Sequence, residues 1–245
     1  MKLKQDHRAV LNNTTAHLVT VTDVSKPYTN PKSKVTYTSY PYSVIKNTNK
    51  KLGPIIKKGH LKGQTIYTLT LEERATCTDE CEHYRTCFGN NMPYSHRFTV
   101  NESFMIKLEK DVKELAILPK NKDGFMLRLH VLGDFMSVEY VLFWKRMLQE
   151  IPNLNIYGYT RNHTTSKYAK HRRIAFEIVK LSAIMKDRFA IRFSNKLDES
   201  YSAISAEIST DGIACPAQTK KGTTCADCAL CWNRNTNKPI IFTTH

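Results

Sequence analysis

Hydrophobic positions in this chain change period several times, and the changes mark out its elements. Residues 64–71 (QTIYTLTL) alternate apolar and polar side chains, the two-residue period of a strand. Phe104, Leu108, Val112 and Leu115 then recur on one helix face, with Asn101 or Ser103 placed to cap it. Residues 125–132 (FMLRLHVL) predict a second strand, ended by Gly133-Asp134. Ser137 opens a helix running to Ile151, with Val141, Trp144, Leu148 and Ile151 on its apolar stripe. Residues 155–161 (NIYGYTR) read as a strand, 165–185 as a helix with Ile174, Ile178 and Leu181 inward, and 188–195 (RFAIRFSN) as a strand.

Strand and helix alternate from residue 64 to residue 195, which implies an α/β fold with a parallel sheet and crossover helices. Strands of such a sheet, covered on both faces, should be apolar throughout. These are not. Arg128 shares a face with His130, Tyr157 with Tyr159 and Arg161, and Arg192 with Ser194. The pattern predicts a sheet or barrel whose concave side is wet and reactive, with its site at the C-terminal ends of the strands.

The flanks read differently. Residues 1–64 form a basic N-terminal extension rich in Lys, Asn and Thr, broken by Pro27, Pro31 and Pro41. Within it, residues 35–45 have strand-like side chains that Pro41 confines to an edge, and 55–63 (IIKKGHLKG) is a basic, turn-rich segment. Whether the extension packs on the sheet or forms an arm is open at this level. Residues 65–213 are the α/β domain, and 214–245 are expected to form a separate cysteine-rich module.

Charge adds a partner class. Lys and Arg outnumber Asp and Glu by 37 to 22, a formal +15, which points to a polyanion and most often to nucleic acid. Lys167, Lys170, His171, Arg172 and Arg173 open a helix as a basic run that could contact phosphates. Arg128, His130, Tyr159 and Arg161 join Lys170, Arg172 and Arg173 as candidates for substrate or nucleic-acid contact, the tyrosines as stacking surfaces. Residues 1–13 carry no apolar leader, and no run of about 18 apolar residues occurs, so no membrane span and a cytoplasmic location are expected.

Seven cysteines, an odd number, argue against a disulfide framework. They fall into two sets. Cys77, Cys81 and Cys87 lie on the loop after the first clear strand. Three thiolates can hold three irons of a four-iron cluster and leave the fourth open for a ligand. His83, inside this loop, could replace a ligand, and a solvated loop histidine is the favoured reading. Cys215, beside Pro216, joins Cys225, Cys228 and Cys231 in a ferredoxin-like set that could close a second cluster. Zinc is the alternative for four thiolates. A single cluster drawing on both segments stays open as well.

The three cysteines after strand one, in an alternating α/β chain, resemble the radical S-adenosylmethionine enzymes, which use C-x3-C-x2-C there. The first gap matches, whereas five residues separate Cys81 from Cys87. A narrower resemblance is carried by residues 128–140 (RLHVLGDFMSVEY), Trp144, residues 159–161 (YTR), Cys215-Pro216, Cys225, Cys228, Cys231-Trp232 and the closing residues 241–245 (IFTTH). These are similar to a phage and plasmid domain named for mycobacteriophage gene product 88, which itself resembles radical S-adenosylmethionine proteins. The likeness extends over about residues 65–245.

The resemblance implies a partial (β/α) barrel with a C-terminal cysteine-rich cluster module. It further implies a 4Fe-4S cluster on Cys77, Cys81 and Cys87, and S-adenosylmethionine held by Gly133, Asp134, Arg192, Ser194 and Asn195. The chemistry implied is one-electron cleavage of the sulfonium C–S bond, with the protein positioning the cofactor. Two functions stay in view. One is an iron–sulfur protein acting on nucleic acid. The other is a non-enzymatic DNA- or RNA-binding protein with structural clusters or zinc.

Overall fold

The computed structural model describes residues 20–92, 94–196, 201–207, 209–236 and 238–243. In chain order its strands are β1 (Thr20–Thr22), β2 (Tyr28–Thr29), β3 (Thr36–Tyr37), β4 (Ile45–Lys46), β5 (Thr65–Leu69), β6 (His96–Phe98), β7 (Phe125–Leu129), β8 (Leu154–Thr160), β9 (Phe189–Ser194), β10 (Ser202–Ser205), β11 (Ile213–Ala214) and β12 (Ile240–Phe242). Its helices are the single turn α1 (Glu73–Thr76), α2 (Glu102–Ala116), α3 (Val138–Glu150), α4 (Ala169–Ile184) and two further short turns, α5 (Pro216–Thr219) and α6 (Cys225–Cys228).

Local chemistry sets the helix starts. Asn101 accepts the Phe104 amide at 2.9 Å and Ser137 the Tyr140 amide at 3.2 Å, satisfying donors that a helix N-terminus leaves unpaired. α4 begins later than its pattern suggests, at Ala169, and has no side-chain cap.

One eight-stranded sheet runs β11-β12-β10-β9-β8-β7-β5-β4. Every pairing in it is parallel except β4 with β5. From β5 through β7, β8, β9 and β10 spatial order follows chain order, the winding that a (β/α) barrel segment has. The ladder ends at β11 and at β4, so the described residues form an open sheet and not a closed barrel. Among them no helix is long and apolar enough to cross a membrane.

Alternation along the strands divides the core in two. Tyr67, Leu69, Phe125, Leu127, Leu129, Ile156, Phe189 and Ile191 face α2, α3 and α4, with Trp144 fully buried among them. Ile66, Met126, Tyr157 and Ala190 face the other way, onto Leu52, Ile56, Cys215, Ala226, Cys231 and Trp232. This corrects the expected wet concave side. Tyr157 is 1% exposed and Arg192 0%, because the C-terminal segment lies over the polar strand face.

The three-part division is softened by the same contacts. β4 extends the sheet from the N-terminal side, and Leu52, Ile56 and Leu61 sit in the second core. β11 and β12 extend the opposite edge, so the C-terminal segment enters the sheet at Ile213–Ala214 and Ile240–Phe242. Residues 1–19 and His245 lie outside the described residues.

His130 departs from the alternation. It follows β7 with φ of 58°, a left-handed conformation, which turns its ring away from Arg128 to the helix side. There it packs edge-on against Phe135 and shares a 3.1 Å hydrogen bond with the Tyr140 hydroxyl. It is a buried core histidine and does not share a site with Arg128. Burial pushes its pKa from 6.5 down to about 3. Between those values the unfolded chain binds a proton at this imidazole and the folded chain does not, so stability falls as pH falls through that window. Lowering pH from about 6.5 to about 5 should cost roughly 2 kcal/mol through this residue. His130→Asn, which tolerates the backbone, should show a pH dependence smaller by that amount in urea unfolding. An unchanged dependence would refute the neutral, buried imidazole.

Candidate functional site

None of the seven cysteines is in a disulfide, and they gather into the two sets that the sequence separates. The first set stands at the C-terminal ends of β5, β7, β8 and β9. Cys77 follows α1 directly and donates its amide to the Glu73 carbonyl at 2.8 Å. Burial pushes Cys77 and Cys87 up and Cys81 up to about 11, with the neighbouring thiols and Asp134 adding to the rise at Cys77 and Cys81. Backbone amides two residues downstream oppose this. Gly89 donates to Cys87 Sγ at 3.4 Å and His83 to Cys81.

The loop from Cys77 to Ser95 has few apolar side chains, so charge holds it. Glu73, 1% exposed, accepts from Arg97 Nε at 2.7 Å and pairs with Arg74 Nη1 at 3.5 Å. Arg97 also donates to the carbonyls of Gly89, Met92 and Ser95 at 2.9, 3.1 and 2.7 Å. Arg74 reaches the Tyr84 carbonyl at 3.0 Å and Asn90 Oδ1 at 2.6 Å. Around α4, His171 Nδ1 lies 2.8 Å from the Thr78 hydroxyl and 3.2 Å from Glu80, which Ser166 also contacts. Glu82 accepts from Arg161 Nη2 at 2.7 Å and from Asn195 Nδ2 at 3.0 Å.

Of the candidates named from sequence, these contacts bring together Gly133, Asp134, Arg161 and Asn195. Gly133 has φ of 93°, and a Cβ there would meet Thr76 Oγ1 at 2.6 Å, so glycine lets the end of β7 press on the turn before Cys77. Asp134 is 4% exposed. Its oxygens accept the amides of Phe135 at 2.6 Å and Arg161 at 2.7 Å, while burial pushes its pKa up to about 6. Ser194 lies alongside, half-buried, in register with Ala203.

Arg192 is not with them. Its guanidinium donates to the carbonyls of Leu230, Cys231 and Ser202 at 3.0, 3.2 and 3.2 Å, tying down the C-terminal segment beneath β9. Inward alternation sends Arg192 to the opposite sheet face from Phe193, away from the strand ends. Lys170 and Arg173 are exposed on the first turn of α4, and Arg172 donates to the Ser166 carbonyl at 2.7 Å.

The second set lies on the non-helical sheet face. α6 carries Cys225 and Cys228 and is closed by a reciprocal cap between Thr224 and Asp227. The chain before β5 holds it: Cys225 donates to the Lys51 carbonyl at 3.1 Å, Ala226 to the Leu52 carbonyl at 2.8 Å, and the Lys57 amide to the Ala226 carbonyl at 3.0 Å. Burial pushes Cys225 and Cys228 up and Cys231 up to about 12, with Cys215 adding to each. Leu230 donates its amide to Cys228, and the Tyr159 hydroxyl donates to Cys231 Sγ at 2.8 Å. Trp232 covers Tyr157, ring centroids 4.9 Å apart.

Both sets have the soft donors and amide–sulfur bonds that suit thiolate-bound metal. Among the described residues no three Cys, His, Asp or Glu side chains form a group that could hold a metal ion as they stand. Around the second set, Lys50, Lys51, Lys57, Lys58 and Lys62 join Lys220 and Lys221 as exposed cations, with Lys57 paired to Asp227 at 2.7 Å.

Sequence reasoning misses Glu73, Arg74, Arg97, Thr78, Glu80 and Glu82, because charged residues in a polar loop read as solvated. Glu73→Gln leaves two guanidiniums buried without their anion. It should lower stability by about 3–5 kcal/mol in denaturant unfolding and speed amide exchange across residues 77–92. A loss under about 1 kcal/mol would remove this carboxylate as the anchor of the loop.

Comparison with known proteins follows the same segments. A family model described as gene product 88 matches residues 43–234, a span that takes in all seven cysteines. It starts earlier than the likeness read from sequence, because β4 and the floor of the second core belong to it. Gene 88 protein of Mycobacterium phage L5 is 29% identical over 139 residues, 51% of this chain and 57% of that protein. Gene 88 protein of Mycobacterium phage D29 is 26% identical over 140 residues, again 51% and 57%. The matched stretch thus spans little more than half the length of these relatives. No solved structure matches the chain. The family match extends over well more than half of the residues, and the chain belongs to the gene product 88 family.

Proposed function

We propose that this chain is an iron–sulfur protein of phage type with two thiolate sites on a barrel-like sheet. Cys77, Cys81 and Cys87 would hold a four-iron cluster with one open iron, and Cys215, Cys225, Cys228 and Cys231 a closed one. The observation that carries this reading is the set of hydrogen bonds to sulfur. Amides of His83, Gly89 and Leu230 each donate to the cysteine two residues earlier, and Tyr159 donates to Cys231. Such bonds favour thiolate over thiol and tune cluster potentials.

The place of the first set supports a cofactor beside it. Open α/β sheets bind ligands beyond the C-terminal ends of their strands. There Asp134 has lone pairs left to accept from the ammonium of S-adenosylmethionine, and Asn195 and Ser194 stand near for its ribose or carboxylate. When bound, that pair of groups supplies one-electron chemistry. The chain contributes position, through the buried Glu73 hub and the Glu82 bridge to Arg161 and Asn195. Iron, acid-labile sulfide and zinc per chain, on protein purified without oxygen, test the reading. About eight irons are expected, falling to about four in Cys87→Ala and in Cys228→Ala. Zinc without iron would overturn it.

A second reading, nucleic-acid binding without catalysis, is favoured by the basic rim around the second thiol set. Residues 46–64 carry six lysines and no carboxylate. The prediction is salt-sensitive binding of duplex or single-stranded nucleic acid. Replacing Lys58 and Lys62 with Ala should make the slope of log K against log salt shallower, by about 0.9 for each duplex phosphate these lysines neutralise. An unchanged slope would take this rim out of the interface.

A further inference from the structure

Among the described residues Arg128 has no anion beside it, and its surroundings indicate where one belongs. It lies on the strand face beneath the C-terminal segment, its guanidinium 5.7 Å from the centroid of the Tyr159 ring. Its Nε is shut off from solvent without a hydrogen-bond partner. Among the described residues no carboxylate pairs with it, and the groups acting on its charge are Tyr157, Tyr159, Cys225 and Cys231. The Tyr157 hydroxyl, also buried, has no partner either.

Arg128 is half-buried with its Nε enclosed, and the fully buried arginines are satisfied. Arg97 and Arg74 share Glu73, and Arg192 is ringed by carbonyls. An enclosed cation is retained when it is paired or faces a metal-bound anion. Around Arg128 the groups able to become anionic are phenols and thiols. The Tyr159 phenol is already a hydrogen-bond donor to Cys231 Sγ, at 2.8 Å. Thiols are different, since metal binding removes their protons.

We infer that Arg128 is the counter-charge for an anionic thiolate–metal centre at Cys215, Cys225, Cys228 and Cys231, and that it sets that centre's reduction potential together with the Tyr159 hydroxyl on Cys231. This rests on the proposed cluster at the second set. Arg128 is a positioning residue for that centre. A four-iron cluster with four thiolates is an anion, and it gains one further negative charge when it takes an electron from a reductant such as dithionite. A fixed cation at close range stabilises the reduced form more than the oxidised one. It therefore raises the potential. The Tyr159 hydroxyl acts in the same direction by donating to the sulfur.

The test uses full-length protein carrying Cys87→Ala, so that the second set alone is complete. Iron content and the midpoint potential, from dithionite titration followed by optical and paramagnetic-resonance spectra, are compared across variants. Arg128→Met should lower the potential by at least a tenfold change in the reduction equilibrium, about 59 mV for one electron. Arg128→Lys should restore most of it, and Tyr159→Phe should lower it by a smaller step.

A Met variant that keeps its circular dichroism but loses iron, while the Lys variant keeps iron, supports the counter-charge equally. Full iron with an unchanged potential in Arg128→Met overturns the inference and leaves the cluster reading standing. No iron in the parent protein overturns both. If Arg128→Met does not fold, Tyr159→Phe with Arg128→Lys decides, an unchanged potential in Tyr159→Phe counting against the arrangement.

Discussion

A carboxylate with 1% exposure, Glu73, sits between two guanidiniums in a stretch that has almost nothing apolar to bury. Residues 77–95 are mostly polar, and hydrophobic contact cannot fix such a loop against a sheet. Arg97 does so by directing its donors to Glu73 and to three loop carbonyls. Desolvating three charges together is costly, and the arrangement persists because each remaining donor finds a partner. The position of Cys77, Cys81 and Cys87 depends on it. So does the approach of Asp134, which Gly133 makes sterically open.

The sheet supplies the frame on which this hub acts. One strand face is apolar and meets three amphipathic helices, so it needs no special chemistry. The other face carries Arg128, Tyr157, Tyr159 and Arg192, and a bare surface of that kind would face water. The C-terminal segment covers it, and the cost of covering polar groups is offset by specific bonds: Arg192 to backbone carbonyls, Tyr201 to the Cys231 carbonyl at 2.6 Å, Tyr159 to sulfur. Arg128 is the exception, which is why it points to a missing charge.

Placed on this frame, the two thiol sets have different settings. The first lies at strand ends beside a buried carboxylate and a bridge of Glu82 with Arg161 and Asn195. The second lies under the sheet, shielded by Trp232 and rimmed by lysines. The first therefore has acidic and amide neighbours. The second has cationic ones.

Much of the frame is legible in the sequence. Period-two and helical spacings locate β5, β7, β8, β9, α2, α3 and α4, and the caps Asn101 and Ser137 stand where side-chain chemistry places them. The cysteine spacings also divide the thiols into the two sets seen in space. The rest depends on contacts between residues far apart in the chain, which no local period records. Arg97 and Glu73 are 24 positions apart, Glu82 and Asn195 are 113. The alternation that pairs Arg128 with His130 fails at one left-handed residue, which turns the imidazole into the core. Burial of the polar strand face, and with it the reassignment of Arg192 from cofactor contact to structural clamp, came only from the packing of residues 230–233 against that face. Local propensity determines which elements form, whereas long-range packing determines which charges lose their water.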